Sequence, residues 1–352
     1  MRDTPVCSII VPVYNAQTHI ARTLESVCAQ TLTQWELIAV DDGSCDDSSR
    51  IVREFADRDS RICPIRQSNG GVAVARNRGF IESNPASPYV IFLDHDDTWP
   101  PEALATLVAA LEADPTACGA HGWARYIDAE DRPHTPEFIA QHHNLLDDAV
   151  RNRRTVVSNT TSSNAQRTTP NTQEYQPTSN HLPLDIESRP DASRTGFATF
   201  AVNNCILSPG AVLLRRSMLS IEHSPFRFSD SYAPFSAYYA PCDDWHLWIH
   251  LTRRADLLAL PQTLFNYRLH TGNASHQQAV MDAAWHRVMR ESIRSPENSP
   301  EQKQIARVAL EFVRKRRISQ RLRWAQEALQ KGDLLQVAHH LRHAARARAL
   351  LS

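Results

Sequence analysis

Tyr89-Val90-Ile91-Phe92-Leu93-Asp94-His95-Asp96-Asp97 decides how this chain folds. An unbroken apolar run ends in a knot of carboxylates, as in a strand buried on both faces that stops at a polar loop. The run Trp35 to Val40, followed by Asp41-Asp42-Gly43-Ser44, repeats the design earlier in the chain. In open α/β sheets, ligands bind in the crevice beyond the carboxyl ends of the strands. Like charges gathered there are costly unless a cation or a donor-rich ligand meets them. Solvated turn acids would explain either cluster alone, since Asp and Gly favour turns. They explain both, in phase with two strands, much less well. The pattern points to a metal-assisted site handling something phosphorylated.

The rest of the first 125 residues alternates strand and helix. Ser8-Ile9-Ile10-Val11 reads as a short strand broken at Pro12, and Ile20, Leu24, Val27 and Cys28 recur at helical spacing. Asp46 or Asp47 is placed to cap a helix whose inner face is Ile51, Val52 and Phe55. Ile62 to Ile65 is a weaker strand. Gly70-Gly71 opens a helix over Val72 to Ile81, and Leu104, Leu107, Val108 and Leu111 mark another. Near-continuous apolar strands between amphipathic helices predict an α/β fold with a mostly parallel sheet covered on both faces.

Composition sets outer bounds. A chain of 352 residues holds one large α/β domain with an appendage, or two domains. Hydrophobic content of 42% and charged content of 22% are those of an ordinary globular protein. The net charge of −1 is uninformative about nucleic acid, because local excesses cancel in it. Seven scattered cysteines without a Cys-x-x-Cys pair speak against a disulfide framework or a zinc site, and fit a reducing cytoplasm. No signal peptide or spanning segment is expected, so the expected location is cytoplasmic.

Several stretches follow one another in the order and spacing of family 2 glycosyltransferases, which the chain resembles. They are Ile10-Val11-Pro12-Val13-Tyr14-Asn15, Gln30-Thr31-Leu32, Trp35-Glu36-Leu37, Asp41-Asp42-Gly43-Ser44, Gly70 to Gly79, and the Asp94–Asp97 cluster. The resemblance implies a GT-A fold, a nucleotide-sugar donor (UDP above all), a divalent Mn or Mg ion, and inversion at the anomeric carbon. It gives Pro12, Tyr14, Asp42 and Asp94 to the donor nucleotide, with Asp94 facing the ribose. Asp96 goes to the metal, joined by Asp97 and His270. Arg76 is the candidate contact to donor phosphate or base, against the alternative of an exposed helix arginine. Hard oxygen ligands suit either cation.

The second half resembles the family's acceptor side. Pro209 to Ser217 leads to Cys242-Asp243-Asp244-Trp245-His246-Leu247-Trp248, where an acidic pair opens a helix. The resemblance makes Asp244 the catalytic base and Asp243 the runner-up. The bland alternative is a pair of acids stabilising the helix N-terminus through its dipole. Trp245, Trp248 and Leu251 read as core packing. The segment Phe265 to Ser275 resembles the close of the catalytic domain and carries His270.

The expected organisation is a catalytic domain over 1–275, with donor half 5–125, polar insertion 134–199 and acceptor half 200–275. A basic helical region over 276–352 follows. Within 150–180, 19 of 31 residues are Asn, Gln, Ser or Thr, too polar to offset the ordering entropy. Residues 301–352 carry 12 Lys and Arg against 4 Asp and Glu, a net of +8. Contact with the inner face of a membrane is one reading of that charge, a hairpin packed on the domain another; no nucleic-acid module is apparent. The acceptor is expected to be a sugar or lipid-linked sugar of a cell-surface glycan. A sugar nucleotidyltransferase would need a Gly-rich basic phosphate loop, which Pro12-Val13-Tyr14-Asn15 is not. An inactive binding module would have lost acids that Asp42, Asp94, Asp96 and Asp244 retain.

Overall fold

The computed structural model describes residues 4–134, 193–202, 204–219, 226–228, 231–273 and 278–349. The alternation is present as β1 (Cys7–Val13), α1 (Ile20–Cys28), β2 (Trp35–Asp41), α2 (Ser48–Arg58), β3 (Ile62–Arg66), α3 (Val72–Glu82), β4 (Tyr89–Phe92), α4 (Ala103–Ala113) and β5 (Gly119–Ile127). Further on come β6 (Ser193–Thr195), α5 (Phe197–Val202), β7 (Val212–Arg215), β8 (Phe226–Phe228) and β9 (Ser231–Ala233). The chain then forms α6 (Asp243–Leu251), β10 (Leu257–Arg268), α7 (Gln278–Arg294), α8 (Pro300–Gln330) and α9 (Leu334–Ala349). β8 and β9 pair with each other; the other eight strands form one sheet in the order β3-β2-β1-β4-β7-β5-β10-β6. β3, β2, β1 and β4 are parallel, as are β5 and β10, while β7 lies antiparallel between β4 and β5.

Both faces of the sheet are covered, as the apolar strands require. Along β2 the period-two alternation sends Leu37 and Ala39 into the main core, while Ile38 and Val40 pack with Ala75 of α3 on the other face. Helix α3 sits close because Gly79 has no side chain: a Cβ there would overlap the Ile10 Cγ2 methyl and come within 3.2 Å of Val40 Cγ2.

The structure corrects one expectation and sharpens three others. β1 runs through Pro12 to Val13 rather than breaking. Ile10 accepts from Leu93 N–H and Pro12, two residues on, faces the same side, where the β4 pairing has already ended at Phe92. Proline lacks its donor at a position where the sheet needs none. Residues 193–199 are not outside the fold, since β6 pairs antiparallel with β10, and Thr195 Oγ1 lies 3.1 Å from Nε2 of the buried His121. Asp47 takes the N-cap position of α2 without a side-chain bond; it is Asp46 whose Oδ1 accepts from Ser48 N at 3.0 Å. The helical C-terminal region is present, and its first helix, α7, packs into the core through Ala284, Trp285, Val288 and Met289, with the Trp285 ring 6.0 Å from that of Trp245. The polar stretch 150–180 lies outside the described residues.

Candidate active site

β1, β2 and β4 deliver their ends to one crevice. The turns after β1 and β2 are stitched together: Asn15 N donates to Ser44 Oγ at 3.0 Å, and Cys45 N donates to Asn15 Oδ1 at 2.9 Å. Asn15 is left-handed (φ 48°), a conformation Asn tolerates better than most residues. Tyr14 beside it is 46% exposed, an aromatic face open to solvent at the strand end.

Asp42 is buried and holds the turn before α3. Its Oδ1 accepts from Gly70 N and Gln67 Nε2, and its Oδ2 from Gly71 N, each at 2.8 Å. A carboxylate offers about four acceptor positions, so roughly one remains for a ligand.

Arg76 is not on the surface. It is buried in α3, donating through Nη2 to Asp94 Oδ1 at 2.6 Å and through Nη1 to Asp243 Oδ2 at 3.0 Å. Ser208 Oγ donates to the other oxygen of Asp94 at 3.2 Å. One guanidinium therefore bridges the acid after β4 and the first acid of α6, and sequence reasoning had assigned it no such tie. Asn77, next along α3, makes a parallel link: its side chain exchanges hydrogen bonds with both backbone groups of Phe235, at 2.7 and 3.0 Å.

The acidic pair thus splits in role. Asp243 is ion-paired and buried, which goes beyond a helix-dipole acid. Asp244 is 9% exposed, with no Arg76 bond; its Oδ1 accepts from Trp245 N at 2.6 Å. Burial, then the neighbouring Asp243 charge, push its carboxyl up to about 7, against the opposing pull of Arg76. A carboxyl poised there has the proton affinity of a general base working near neutrality.

The three residues expected at a metal do not stay together. Asp96 and His270 meet, His270 Nε2 lying 2.8 Å from Asp96 Oδ2. Burial alone would raise the Asp96 carboxyl, but the hydrogen bond to His270 and the His95 and His270 charges carry it below the ordinary range. Asp97 instead turns inward, where Oδ1 accepts from Arg268 N at 2.9 Å. Burial, then Asp96 and Asp94, raise its carboxyl well above the usual range. Among the described residues, no group of three His, Cys, Asp or Glu side chains is arranged to hold a metal.

The residue that shapes this loop is Arg268, fully buried at the end of β10. Its Nε donates to Asp96 O and its Nη1 to Asp128 O, both at 2.8 Å, and Nη2 reaches Asp131. Nothing in its spacing sets Arg268 apart from other arginines; its position two residues before His270 was the only signal. His19 likewise escaped notice, with its ring 5.1 Å from that of His270.

A mixed, mostly parallel sheet with an acidic crevice at its strand ends is an α/β fold of the GT-A kind. The family model described as "Glycosyl transferase family 2" matches residues 8–220, well over half the chain, and the protein belongs to that family. The curated proteins it matches include several named as glycosyltransferases. "Glycosyltransferase GlyA" of Streptococcus pneumoniae is 42% identical over 90 residues, covering 26% of this chain and 13% of that protein. The chain matches between 13% and 58% of the length of its first curated relatives. The fold is that of S. aureus TarS 1-349 in complex with UDP-GlcNAc, with a TM-score of 0.56 and 16% identity over 88% of this chain and 71% of that one. Mannosyltransferase PcManGT from Pyrobaculum calidifontis, in complex with GDP-Man and Mn2+, gives 0.57 and 18% over 99% and 78%.

Proposed function

We propose that the enzyme transfers a sugar from a nucleoside diphosphate donor, UDP by preference, to an acceptor hydroxyl with inversion, and that Asp244 is the base. The Asp94–Arg76–Asp243 bridge carries the reading, because it ties the helix bearing Asp244 to the acid at the end of β4. Asp244 takes the proton of the acceptor hydroxyl while that oxygen bonds to the anomeric carbon. The bond from that carbon to the diphosphate breaks, and the nucleoside diphosphate leaves from the opposite face. Tyr14 offers a stacking face to the base, the remaining acceptor position of Asp42 takes an imide N–H, and Asp94 and Pro12 line the ribose side.

The Asp96–His270 pair fits a divalent cation. Two cis ligands at metal-bonding distance stand about 3 Å apart, close to the 2.8 Å found between Asp96 Oδ2 and His270 Nε2. Such an ion is ordinarily completed by substrate phosphates and water, and would neutralise the leaving diphosphate. Asp97 is withdrawn from that set by its bond to Arg268. The acceptor is a sugar or lipid-linked sugar of a surface glycan.

A hydrolysis screen of UDP-, GDP- and dTDP-sugars with Mn²⁺ tests the reading, scoring which donor releases its nucleoside diphosphate. Release from none of them, by a folded enzyme, would sink it.

A further inference from the structure

Helices α8 and α9 form a hairpin whose apolar residues are not all inside it. The turn Lys331-Gly332-Asp333 joins them, with Gly332 left-handed at φ 74° and Asp333 N donating to Ala328 O at 2.9 Å. The seam between the helices is made by Ala325 and Ala328 from α8 and by Val337, His340 and Ala344 from α9, the His340 ring lying 5.5 Å from Trp324. Leu322, Leu329, Leu334, Leu335 and Leu341 are left out of it, between 46% and 83% exposed.

Leu322, Leu329, Leu334 and Leu341 share a face, with Leu335 about 100° round from it. At 3.6 residues per turn, Leu322 and Leu329 stand roughly a quarter turn past the α8 seam, and Leu334 and Leu341 roughly a quarter turn past the α9 seam. The helices are antiparallel, so rotation in the same sense from a shared seam brings both flanks to the same side. Leu329 and Leu334 flank the turn; Leu322 and Leu341 lie one step further from it. Exposed leucines gathered on one side of a hairpin are the kind of surface an interaction partner covers.

Charge selects the occupant. The exposed Arg323, Lys331 and Arg342 lie on the same hairpin, within a segment of net charge +8. A second copy would bring +8 against +8. An anionic lipid surface is attracted by every one of those cations and accepts the leucines among its acyl chains, the basic stems snorkelling to the headgroups. No helix among the described residues is long and apolar enough to cross a membrane, so the hairpin lies on the bilayer rather than through it.

We propose that the Leu322–Leu329–Leu334–Leu341 face of the α8–α9 hairpin is a docking surface for an anionic membrane leaflet. Helix α8 supplies half of this face and α9 the other half, with Val337 of α9 half-buried.

Flotation of the full chain tests this, with vesicles of equal phosphatidylglycerol and phosphatidylcholine against phosphatidylcholine alone. The wild type is expected to favour the anionic vesicles roughly tenfold or more. The Leu329→Gln/Leu334→Gln and Arg323→Glu/Lys331→Glu variants should each lose roughly tenfold in partition. Val280→Gln, an exposed change on α7, should lose nothing. All substituted residues are exposed, and circular dichroism checks that each variant is folded. Equal binding to both vesicles, or full binding by either double variant, overturns the proposal. So does a leucine variant that abolishes self-association on sedimentation without changing flotation. Flotation reads no sugar transfer, so failure of the catalytic reading leaves this result standing.

Discussion

Arg76 Nη1 meets Asp243 Oδ2 at 3.0 Å, joining a helix of the donor half to a helix of the acceptor half across 167 residues of sequence. Both side chains are buried, and the second arm of the same guanidinium holds Asp94. A buried ion pair of this kind is worth little against an apolar substitute, but costs much when one member is removed.

Arg76→Ala should therefore destabilise the fold by about 3–5 kcal/mol, since it leaves Asp94 and Asp243 uncompensated. Arg76→Lys should recover only part, because a point charge cannot serve two carboxylates as a fork does. Denaturant unfolding of the two variants is the check; equal stability of Arg76→Ala and wild type would show that the bridge is idle.

Turnover should rise with pH through about 7, the value to which burial and Asp243 push Asp244. The base acts only when deprotonated, so the rate falls about tenfold per unit on the acid side and levels off above. Asp244→Asn should lower single-turnover transfer by about 10²–10⁴ while UDP affinity, read by calorimetry, stays the same. Asp243→Asn should do less to the rate. If instead Asp243→Asn is the dead enzyme and Asp244→Asn the active one, the base is the other acid.

The same substitution should stabilise the protein. A carboxyl raised in the folded state favours folding most while protonated, and that contribution is lost as pH rises from the unfolded value near 4 through about 7. At pH 8 Asp244→Asn should exceed wild type by up to about 4 kcal/mol, and near pH 4 the gap should close. Melting temperatures across that range decide it; a gap that widens toward acid would reverse the sign assigned here.

Donor binding should depend on Asp96, His270 and a divalent ion together. Asp96→Asn or His270→Ala should weaken UDP binding in Mn²⁺ by about 10–100-fold. Each should change it little in EDTA. Affinity that is the same with and without metal in the wild type would remove the cation from the site.

Gly79→Ala should cost about 1–3 kcal/mol through overpacking, despite the better helix propensity of alanine. The added methyl collides with Ile10 in the strand that leads to the crevice. A melting temperature at or above that of wild type would mean α3 shifts freely.

Much of the donor half was legible because a strand buried on both faces has to be apolar throughout, as Tyr89 to Leu93 is, and then stops at its acids. Asp42 and Asp94 stood out for the same reason, carboxylates against apolar runs, whereas Asp244 came only from the family resemblance. What escaped was everything set by distance in space. Arg76 was a candidate for the donor, but its tie to Asp243 came from the far half of the chain, and Arg268 carries no pattern of its own. Asp97 shared the spacing of a ligand with Asp96, but the direction of one side chain separates them. Which flank of the C-terminal hairpin stays open is likewise set by how its two helices meet, which residue spacing alone does not say.

Pro12 has a last consequence. Beyond Ile10 and Phe92 the edges of β1 and β4 part, and nothing in their apolar character alone would stop the two strands from zipping further together. A residue without an amide hydrogen at the next paired position denies that extension its hydrogen bond. The mouth of the crevice is thus kept from sealing itself by a missing atom, whatever ligand occupies it.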